Sequence, residues 1–140
     1  MKKDDLSYNF DSMKVRDLNS IIDLSTKVIQ KKTKEQIIDA RPTPRYNGDV
    51  PEIRPSKKVG HVPGALNVFF KNLLNEDSCF KSNADLKREF EKQGVNLDYE
   101  ITLYCGTGVT ASVDLLALTI LNKYDSCKLY DGSWSEFVNY

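Results

Sequence analysis

The sequence has little of what marks a membrane, nucleic-acid-binding or secreted protein. No apolar run approaches the roughly 20 residues that a membrane-spanning helix requires, and residues 1–5 lack the apolar core of a signal peptide. Lysine plus arginine and aspartate plus glutamate number 20 each, which leaves no excess of positive charge for nucleic acid. These absences predict a soluble protein that acts on a small or locally bound substrate and binds neither nucleic acid nor a membrane.

Cysteine is scarce, and its spacing does not suit a structural role. The three cysteines, Cys79, Cys105 and Cys127, are an odd number without close spacing, which disfavours both a disulfide framework and a zinc site. We therefore expect no metal, and nothing in the sequence requires another cofactor. A reducing compartment, cytoplasmic or mitochondrial, fits this pattern, because reactive thiols persist there. We expect Cys79 and Cys127 to be packing residues.

Apolar spacing predicts strands that alternate with helices. Apolar runs predict strands at residues 13–15, 36–39, 65–68, 101–104 and 128–130. Helical spacing predicts a helix at residues 18–30 capped by Asp17, a helix that starts at Ser82 or Asn83 and ends at Gly94, and a short helix at residues 133–138. This alternation indicates an α/β fold with about five strands in a mostly parallel sheet, covered by helices on both faces.

Two longer segments complete this organisation. Residues 40–63 contain all five prolines and predict a long loop, which in a compact domain is usually functional. A further helix follows Cys105, and its apolar stripe is expected to pack on the sheet: Val109, Val113, Leu116, Ala117, Ile120 and Leu121. At 140 residues the chain is about one domain long, so residues 13–140 are expected to form that domain and residues 1–12 a linker or N-terminal extension.

The most informative segment is residues 105–110, Cys-Gly-Thr-Gly-Val-Thr, between a predicted strand and a predicted helix. Backbone amides in such a loop can converge on an anion, and a helix N-terminus also favours negative charge. Both effects lower the pKa of a thiol. Ligands of parallel sheets bind beyond the carboxyl ends of the strands. The segment therefore predicts a nucleophilic thiolate at Cys105.

Four motifs together resemble the catalytic C-terminal domain of rhodanese-type sulfurtransferases. They are the loop at residues 105–110, Gly-His-Val-Pro-Gly-Ala at 60–65, Asp-Ala-Arg at 39–41 and Tyr-Asp-Gly-Ser-Trp at 130–134. The resemblance covers residues 13–140 and implies a rhodanese-like three-layer fold. Gly106 and Thr107 resemble 3-mercaptopyruvate sulfurtransferases more than thiosulfate sulfurtransferases, which usually carry basic residues after the cysteine.

The resemblance implies a sulfur-transfer reaction. Cys105 would take a sulfane sulfur from 3-mercaptopyruvate or thiosulfate as a persulfide and pass it to a thiol, cyanide or a thioredoxin-like protein. The backbone of Gly106, Gly108, Val109 and Thr110 would stabilise both the thiolate and the persulfide anion. By the same resemblance, the hydroxyl of Thr107 would relay a proton to or from the substrate.

Substrate recognition is expected from the proline-rich loop. Arg45 and Arg54 lie at the positions where mercaptopyruvate-type enzymes carry two substrate-binding arginines, and a guanidinium group matches the planar carboxylate of a 2-oxo acid. Arg41 is expected to pair with an acidic neighbour instead. His61 lies in a Gly-Pro-Gly turn, where an imidazole more often bonds the backbone than assists a cysteine.

Two other functions and one structural question remain open at this point. Cysteine-dependent phosphatases carry an arginine after the cysteine and five further residues, but Ala111 stands there and the loop is one residue shorter. A non-catalytic rhodanese-like binding module commonly loses the nucleophile, whereas Cys105 is retained. Enzymes of the resembled type have two tandem domains, so we expect this chain to be the catalytic half, with a second rhodanese domain as a possible partner.

Overall fold

A five-stranded parallel sheet lies at the centre of the molecule. The computed structural model describes residues 9–54, 56 and 58–140. The strands are β1 (Val15–Arg16), β2 (Gln36–Asp39), β3 (Leu66–Asn67), β4 (Ile101–Tyr104) and β5 (Cys127–Tyr130). The helices are α1 (Leu18–Ile29), α2 (Thr43–Asn47), α3 (Asn83–Lys92), α4 (Ala111–Ile120) and α5 (Ser133–Phe137). Short 3-10 helices lie at Ser12–Lys14, Phe70–Leu73 and Tyr124–Ser126.

The strand order is β1-β5-β4-β2-β3, and every neighbouring pair is parallel. In the central pair, Asp39 at the end of β2 lies beside Tyr104 at the end of β4. The residues that follow these strands therefore leave the sheet at the same edge. This is the edge at which parallel sheets bind ligands.

Apolar side chains on the two sides of the sheet form two cores. One core joins the sheet to α3 and α4 and contains Leu73, Phe90, Leu103 and Leu118 among its fully buried residues. The other joins the sheet to α1 and α5 and contains Ile21, Ile37 and Trp134 among others. Helices thus cover both faces, which confirms the predicted three-layer α/β architecture.

Polar caps fix the ends of the two predicted surface helices. The Asp17 carboxylate accepts a hydrogen bond from the Ser20 amide at the start of α1, and the Ser82 hydroxyl accepts one from the Asp85 amide at the start of α3. These bonds satisfy amides that have no partner within the helix. Gly94, with φ 85°, follows α3 in the left-handed conformation that ends many helices. The predicted caps are confirmed.

Two predictions from local composition are wrong. Residues 40–63 are not loop throughout, because α2 forms within them, with Pro44 in its first turn, where proline is tolerated. Cys79 is exposed rather than packed, because it lies in a turn whose backbone bonds Asn75. Cys127 is buried as expected.

The predicted stripe of the helix after Cys105 is also partly wrong. Val109 lies outside α4 and is 72 % exposed, and Leu116 and Ile120 on the helix face solvent as well. The buried face instead consists of Ala111, Asp114, Ala117 and Leu118. Since α4 is apolar on several faces, spacing alone did not determine which face meets the sheet.

Residues 1–8 of the predicted linker lie outside the described residues. Asp11, near its end, already belongs to the fold, because its carboxylate caps the 3-10 helix at Ser12–Lys14. Among the described residues, no helix has both the length and the apolar character needed to span a bilayer.

Candidate active site

Cys105 directly follows β4 and occupies the edge of the sheet identified above. Cys105 is only 1 % exposed to solvent. The amide of Gly108 donates a hydrogen bond to Sγ at 3.0 Å, so the loop folds back over the sulfur. Gly108 adopts φ 92°, which side-chain-bearing residues rarely adopt, and this conformation turns its amide inward.

Burial and hydrogen bonding act on the Cys105 thiol in opposite directions. Burial raises its pKa, but hydrogen bonds from the Thr110 hydroxyl and from the amides of Ala111, Thr107 and Gly108 lower it, and the net pKa lies below the ordinary value. Hydrogen bonds to the charged form stabilise that form. The amide of Ala111 lies just beyond the predicted loop and is the first residue of α4, so the helix N-terminus contributes directly. The site therefore favours a thiolate.

Hydrogen bonds join the start of α5 to the loop that begins at Cys105. The Cys105 amide donates to the Ser133 hydroxyl at 3.1 Å. The amides of Trp134 and Ser135 donate to the carbonyl oxygens of Cys105 and Gly106 at 2.9 and 3.0 Å. The motif at residues 130–134 was visible in the sequence, but this supporting role was not predicted.

A pocket of about 540 Å³ lies against the loop. Its wall includes Arg45, Arg54, Thr107 and Thr110, together with Trp134 and Ser135 at the start of α5. The structure thus brings both predicted arginines and Thr107 to the loop that encloses the Cys105 sulfur. Val109, by contrast, points its side chain away from the interior.

The two pocket arginines differ in their partners. Arg45 forms an ion pair with Glu52, and its Nη2 would lie 3.0 Å from a Cβ placed on Gly106, so the guanidinium group reaches the loop. Arg54 is exposed and makes no ion pair with the described residues. Glu52 was not predicted as a site residue. Its only signal in the sequence is a carboxylate between two arginines.

Arg41 supports the pocket from inside the fold. Its buried guanidinium group forks onto the Asp39 carboxylate, with Nη2–Oδ2 at 2.7 Å, and its Nη1 meets Glu52 at 2.6 Å. It also lies 4.6 Å from the centre of the Trp134 ring. Burial alone would lower the pKa of Arg41, but Asp39 and Glu52 raise it above its ordinary value, so this guanidinium group stays charged. The predicted pairing of Arg41 with an acidic neighbour is confirmed.

His61 has the backbone role expected of it. Its Nδ1 lies 2.8 Å from the Tyr46 carbonyl oxygen, and its ring stacks on the Tyr46 ring at 3.7 Å between centroids. The imidazole does not line the pocket.

One acidic residue near the site was not predicted. Asp114 on α4 is fully buried, and neither of its carboxylate oxygens has a hydrogen-bond partner among the described residues. Burial raises the pKa of this carboxyl group well above its ordinary value, and the charges of Asp39 and Cys105 raise it further. Its only signal in the sequence is a carboxylate within an otherwise apolar helix.

No group of three or more metal-binding side chains occurs among the residues that the structure describes. At this edge of the sheet, a thiol with a lowered pKa lies beside a pocket lined by arginines and hydroxyls. A thiolate in such surroundings can attack an electrophilic atom of an anionic ligand.

Comparison with known proteins places the whole site within one family. The family model described as "Rhodanese-like domain" matches residues 23–140. The 3-mercaptopyruvate sulfurtransferase of Escherichia coli is 49% identical over 102 residues, which are 73% of this chain and 36% of that protein. The thiosulfate sulfurtransferase of Gallus gallus is 38% identical over 106 residues, 76% of this chain and 36% of that protein.

Comparison with solved structures also finds proteins with the rhodanese fold. SseA from Escherichia coli, described as a 3-mercaptopyruvate sulfotransferase with a rhodanese fold, is 41% identical with a TM-score of 0.70, covering 91% of this chain and 45% of that one. Tum1 from Saccharomyces cerevisiae is 26% identical with a TM-score of 0.81, covering 95% of this chain and 46% of that one. The matched part of the chain covers about a third of the length of these curated relatives.

Proposed function

Because this chain belongs to the rhodanese-like domain family, we propose that it is a sulfurtransferase domain in which Cys105 carries sulfur as a persulfide. One observation carries the proposal: the Gly108 amide donates a hydrogen bond to the Cys105 sulfur at 3.0 Å, within a loop whose other residues line a pocket that holds two arginines. A thiolate is the side-chain group that can both accept and release a sulfur atom.

The proposed reaction has two half-reactions. The Cys105 thiolate attacks the sulfur of 3-mercaptopyruvate, so an S–S bond forms and the C–S bond breaks. The electron pair of that bond passes to the carbon next to the carbonyl as an enolate, which takes the proton of the donor thiol and becomes pyruvate. In the second half-reaction an acceptor thiolate attacks the outer sulfur, and Cys105 leaves as a thiolate. The negative charge lies on the Cys105 sulfur in the free thiolate and on the outer sulfur in the persulfide, and the donors of the loop stabilise both anions.

Thr107 is proposed to relay the proton of the donor thiol. It is exposed on the pocket wall, next to the loop amides that hold the sulfur. A hydroxyl group at this place both donates and accepts a hydrogen bond. Gly106, Gly108, Val109 and Thr110 complete the proposed anion-binding loop.

The charge of the pocket favours a mercaptopyruvate donor over thiosulfate. Among the described residues, its charged lining side chains are Arg45, Arg54 and Glu52, which sum to one positive charge. The carboxylate of mercaptopyruvate supplies one negative charge, whereas thiosulfate brings two. Because Glu52 already neutralises Arg45 in part, we propose that Arg54 supplies the attraction and Arg45 the orientation.

The acceptor and the setting are proposed on chemical grounds. Any soft nucleophile can take the outer sulfur, so a small thiol, cyanide or a thioredoxin-like protein each fits. A reducing compartment, cytoplasmic or mitochondrial, suits a free thiolate, and one relative carries "mitochondrial" in its name. A second rhodanese domain is a further proposed partner, since the curated relatives are about three times as long as the matched region.

The proposal is tested by the mass of the protein after incubation with 3-mercaptopyruvate. We expect the peptide that contains Cys105 to gain one sulfur atom, which a reducing thiol or cyanide then removes. Cys105→Ser should gain none. A folded chain that gains no sulfur would contradict the proposal and favour a binding module, and hydrolysis of a phosphate ester with no sulfur gained would favour a phosphatase.

A further inference from the structure

A carboxyl group lies where the fold gives it no partner. Asp114 is 0 % exposed, and both of its oxygens lack a hydrogen-bond partner within the described part of the chain. It also forms no ion pair with a described residue. An ionised carboxylate is costly in such surroundings, so this group is held in its protonated form.

Asp114 stands one helical turn beyond an amide that holds the nucleophile. The amide of Ala111, the first residue of α4, is one of the groups that lower the pKa of Cys105. Residues three apart on a helix lie on the same face, and Ala111 and Asp114 are both fully buried there. Because α4 packs on β4, which ends at Tyr104, the carboxyl group and the thiol share one buried region.

The other buried ionisable groups on the segments packed against α4 carry no charge near neutral pH. Burial raises the pKa of Tyr104 and of Tyr130 above the ordinary tyrosine value. Burial likewise raises the pKa of Cys127 to about 11, against a smaller effect of Lys14. These three groups therefore neither balance nor oppose a charge on Asp114.

The charged groups around α4 are exposed or partly exposed to solvent, or are paired with an opposite charge. Lys71, Tyr124 and Asp125 on the packed 3-10 helices are exposed, and Lys128 on β5 is half-buried. Asp39 does act on Asp114, but its own carboxylate is paired with Arg41 at 2.7 Å. Among the described residues, the buried anion without a counter-ion in this region is thus the Cys105 thiolate.

We propose that Asp114 is a positioning residue for the nucleophile: its carboxyl group and the Cys105 thiol share one negative charge, so that ionisation of either opposes ionisation of the other. The charge resides on sulfur, because the Gly108 amide donates a hydrogen bond to Sγ at 3.0 Å and no described group donates to the carboxyl group. The raised pKa of Asp114, caused first by burial and then in part by Cys105, agrees with this coupling. The inference rests on the proposed role of Cys105 as a thiolate nucleophile.

Two titrations in the folded protein test the coupling. The rate at which iodoacetamide alkylates Cys105, followed on its peptide by mass spectrometry, gives the midpoint of the thiol in the parent chain and in Asp114→Asn. Carbon-13 NMR of the Asp114 carboxyl group gives its midpoint in the parent chain and in Cys105→Ser. In the parent chain, one of the two groups ionises while the other is already charged. The midpoint of that second group should be about one pH unit or more higher in the parent chain than in the variant that lacks the other group.

Unchanged midpoints in both comparisons would overturn the proposal. Asp125→Asn is the matched control, because its exposed carboxylate lies on a segment packed against α4, and it should leave the Cys105 midpoint unchanged. Asp114→Val replaces Asp114→Asn if the buried amide prevents folding. Neither measurement requires sulfur transfer, so a chain that forms no persulfide can still show the coupling.

Discussion

Arg45 and Arg54, the two arginines proposed to bind the substrate, differ in their ion pairs. Arg45 is already bound by Glu52, which Arg41 holds in turn at the edge of the sheet. A substrate carboxylate that binds Arg45 must therefore share it with Glu52. Arg54 is exposed and can bind a carboxylate without losing an ion pair to a described residue.

Replacing either arginine should weaken donor binding. Charge-assisted hydrogen bonds contribute about 1.5–3 kcal/mol each, so we expect Arg45→Ala and Arg54→Ala each to raise KM for 3-mercaptopyruvate by roughly tenfold to a hundredfold. Steady-state kinetics measure this, with Arg88→Ala as a control, because Arg88 is an exposed arginine on α3 that pairs with Asp85. An unchanged KM in both pocket variants would remove these residues from the proposed binding site.

The predicted site residues differ from Asp114, which was not predicted, in how they can be recognised. Cys105, Thr107, Arg45 and Arg54 lie in motifs that can be recognised by their order along the chain, and the structure brings all four to one pocket or its loop. Asp114 acts through burial, which depends on which face of α4 meets the sheet. Such a contribution is visible only after packing is known.

At the scale of elements, the loop between β4 and α4 depends on one glycine. Gly108 has φ 92°, and a Cβ there would lie 2.7 Å from the Asp131 carbonyl oxygen. The amide of the same residue bonds the Cys105 sulfur at 3.0 Å. Any side chain at this position must therefore move either the loop or residue 131.

Gly108→Ala should impair the nucleophile more than the fold. We expect the displaced amide to raise the pKa of Cys105, so that alkylation at neutral pH slows, and the strained backbone to cost about 1–3 kcal/mol of stability. Gly94→Ala is the matched control, because Gly94 has φ 85° with open space around it, far from the loop. It should lose stability through its backbone alone and leave the alkylation rate unchanged. Equal alkylation rates in the parent chain and Gly108→Ala would contradict the role given to this amide.

The elements themselves were largely predictable. Short apolar runs located β2, β4 and β5 closely, because a parallel sheet buries both faces of its central strands. The edge strands were less exact: the strand predicted at residues 13–15 meets β1 only at Val15, because Met13 and Lys14 form part of a 3-10 helix. Asp17, Ser82 and Gly94 marked helix ends by chemistry that acts locally. The short helix α2 and the buried face of α4 escaped prediction, since proline content dominated the first pattern and apolar residues on several faces obscured the second.

At the scale of the whole molecule, Asp114 should make stability depend on pH. In the unfolded chain this carboxyl group ionises near its ordinary pKa of 3.8, whereas the folded chain keeps the proton to a much higher pH. The folded state therefore binds more protons in this window, so the contribution of Asp114 to the free energy of unfolding falls as pH rises above 3.8.

Asp114→Asn should remove that dependence. Its stability relative to the parent chain should increase as the pH rises above about 4, by at most about 1.4 kcal/mol per pH unit. Urea unfolding at several pH values measures the difference, and comparison with the parent chain cancels the titrating groups other than Cys105, whose midpoint the alkylation experiment measures separately. A difference that stays constant with pH would show that Asp114 ionises at its ordinary pKa in the folded protein.

The bonds between α5 and the Cys105 loop have a consequence for how the protein is made. Cys105 and Ser133 are 28 residues apart in the chain, and a ribosome adds about 5–20 residues per second. The thiol is thus synthesised before the residues that hold its loop in shape. A newborn chain carries an ordinary cysteine at position 105, and the loop that lowers its pKa is held in shape only once α5 has docked. On the proposed role of Cys105, the docking of α5 is also the step that activates the nucleophile.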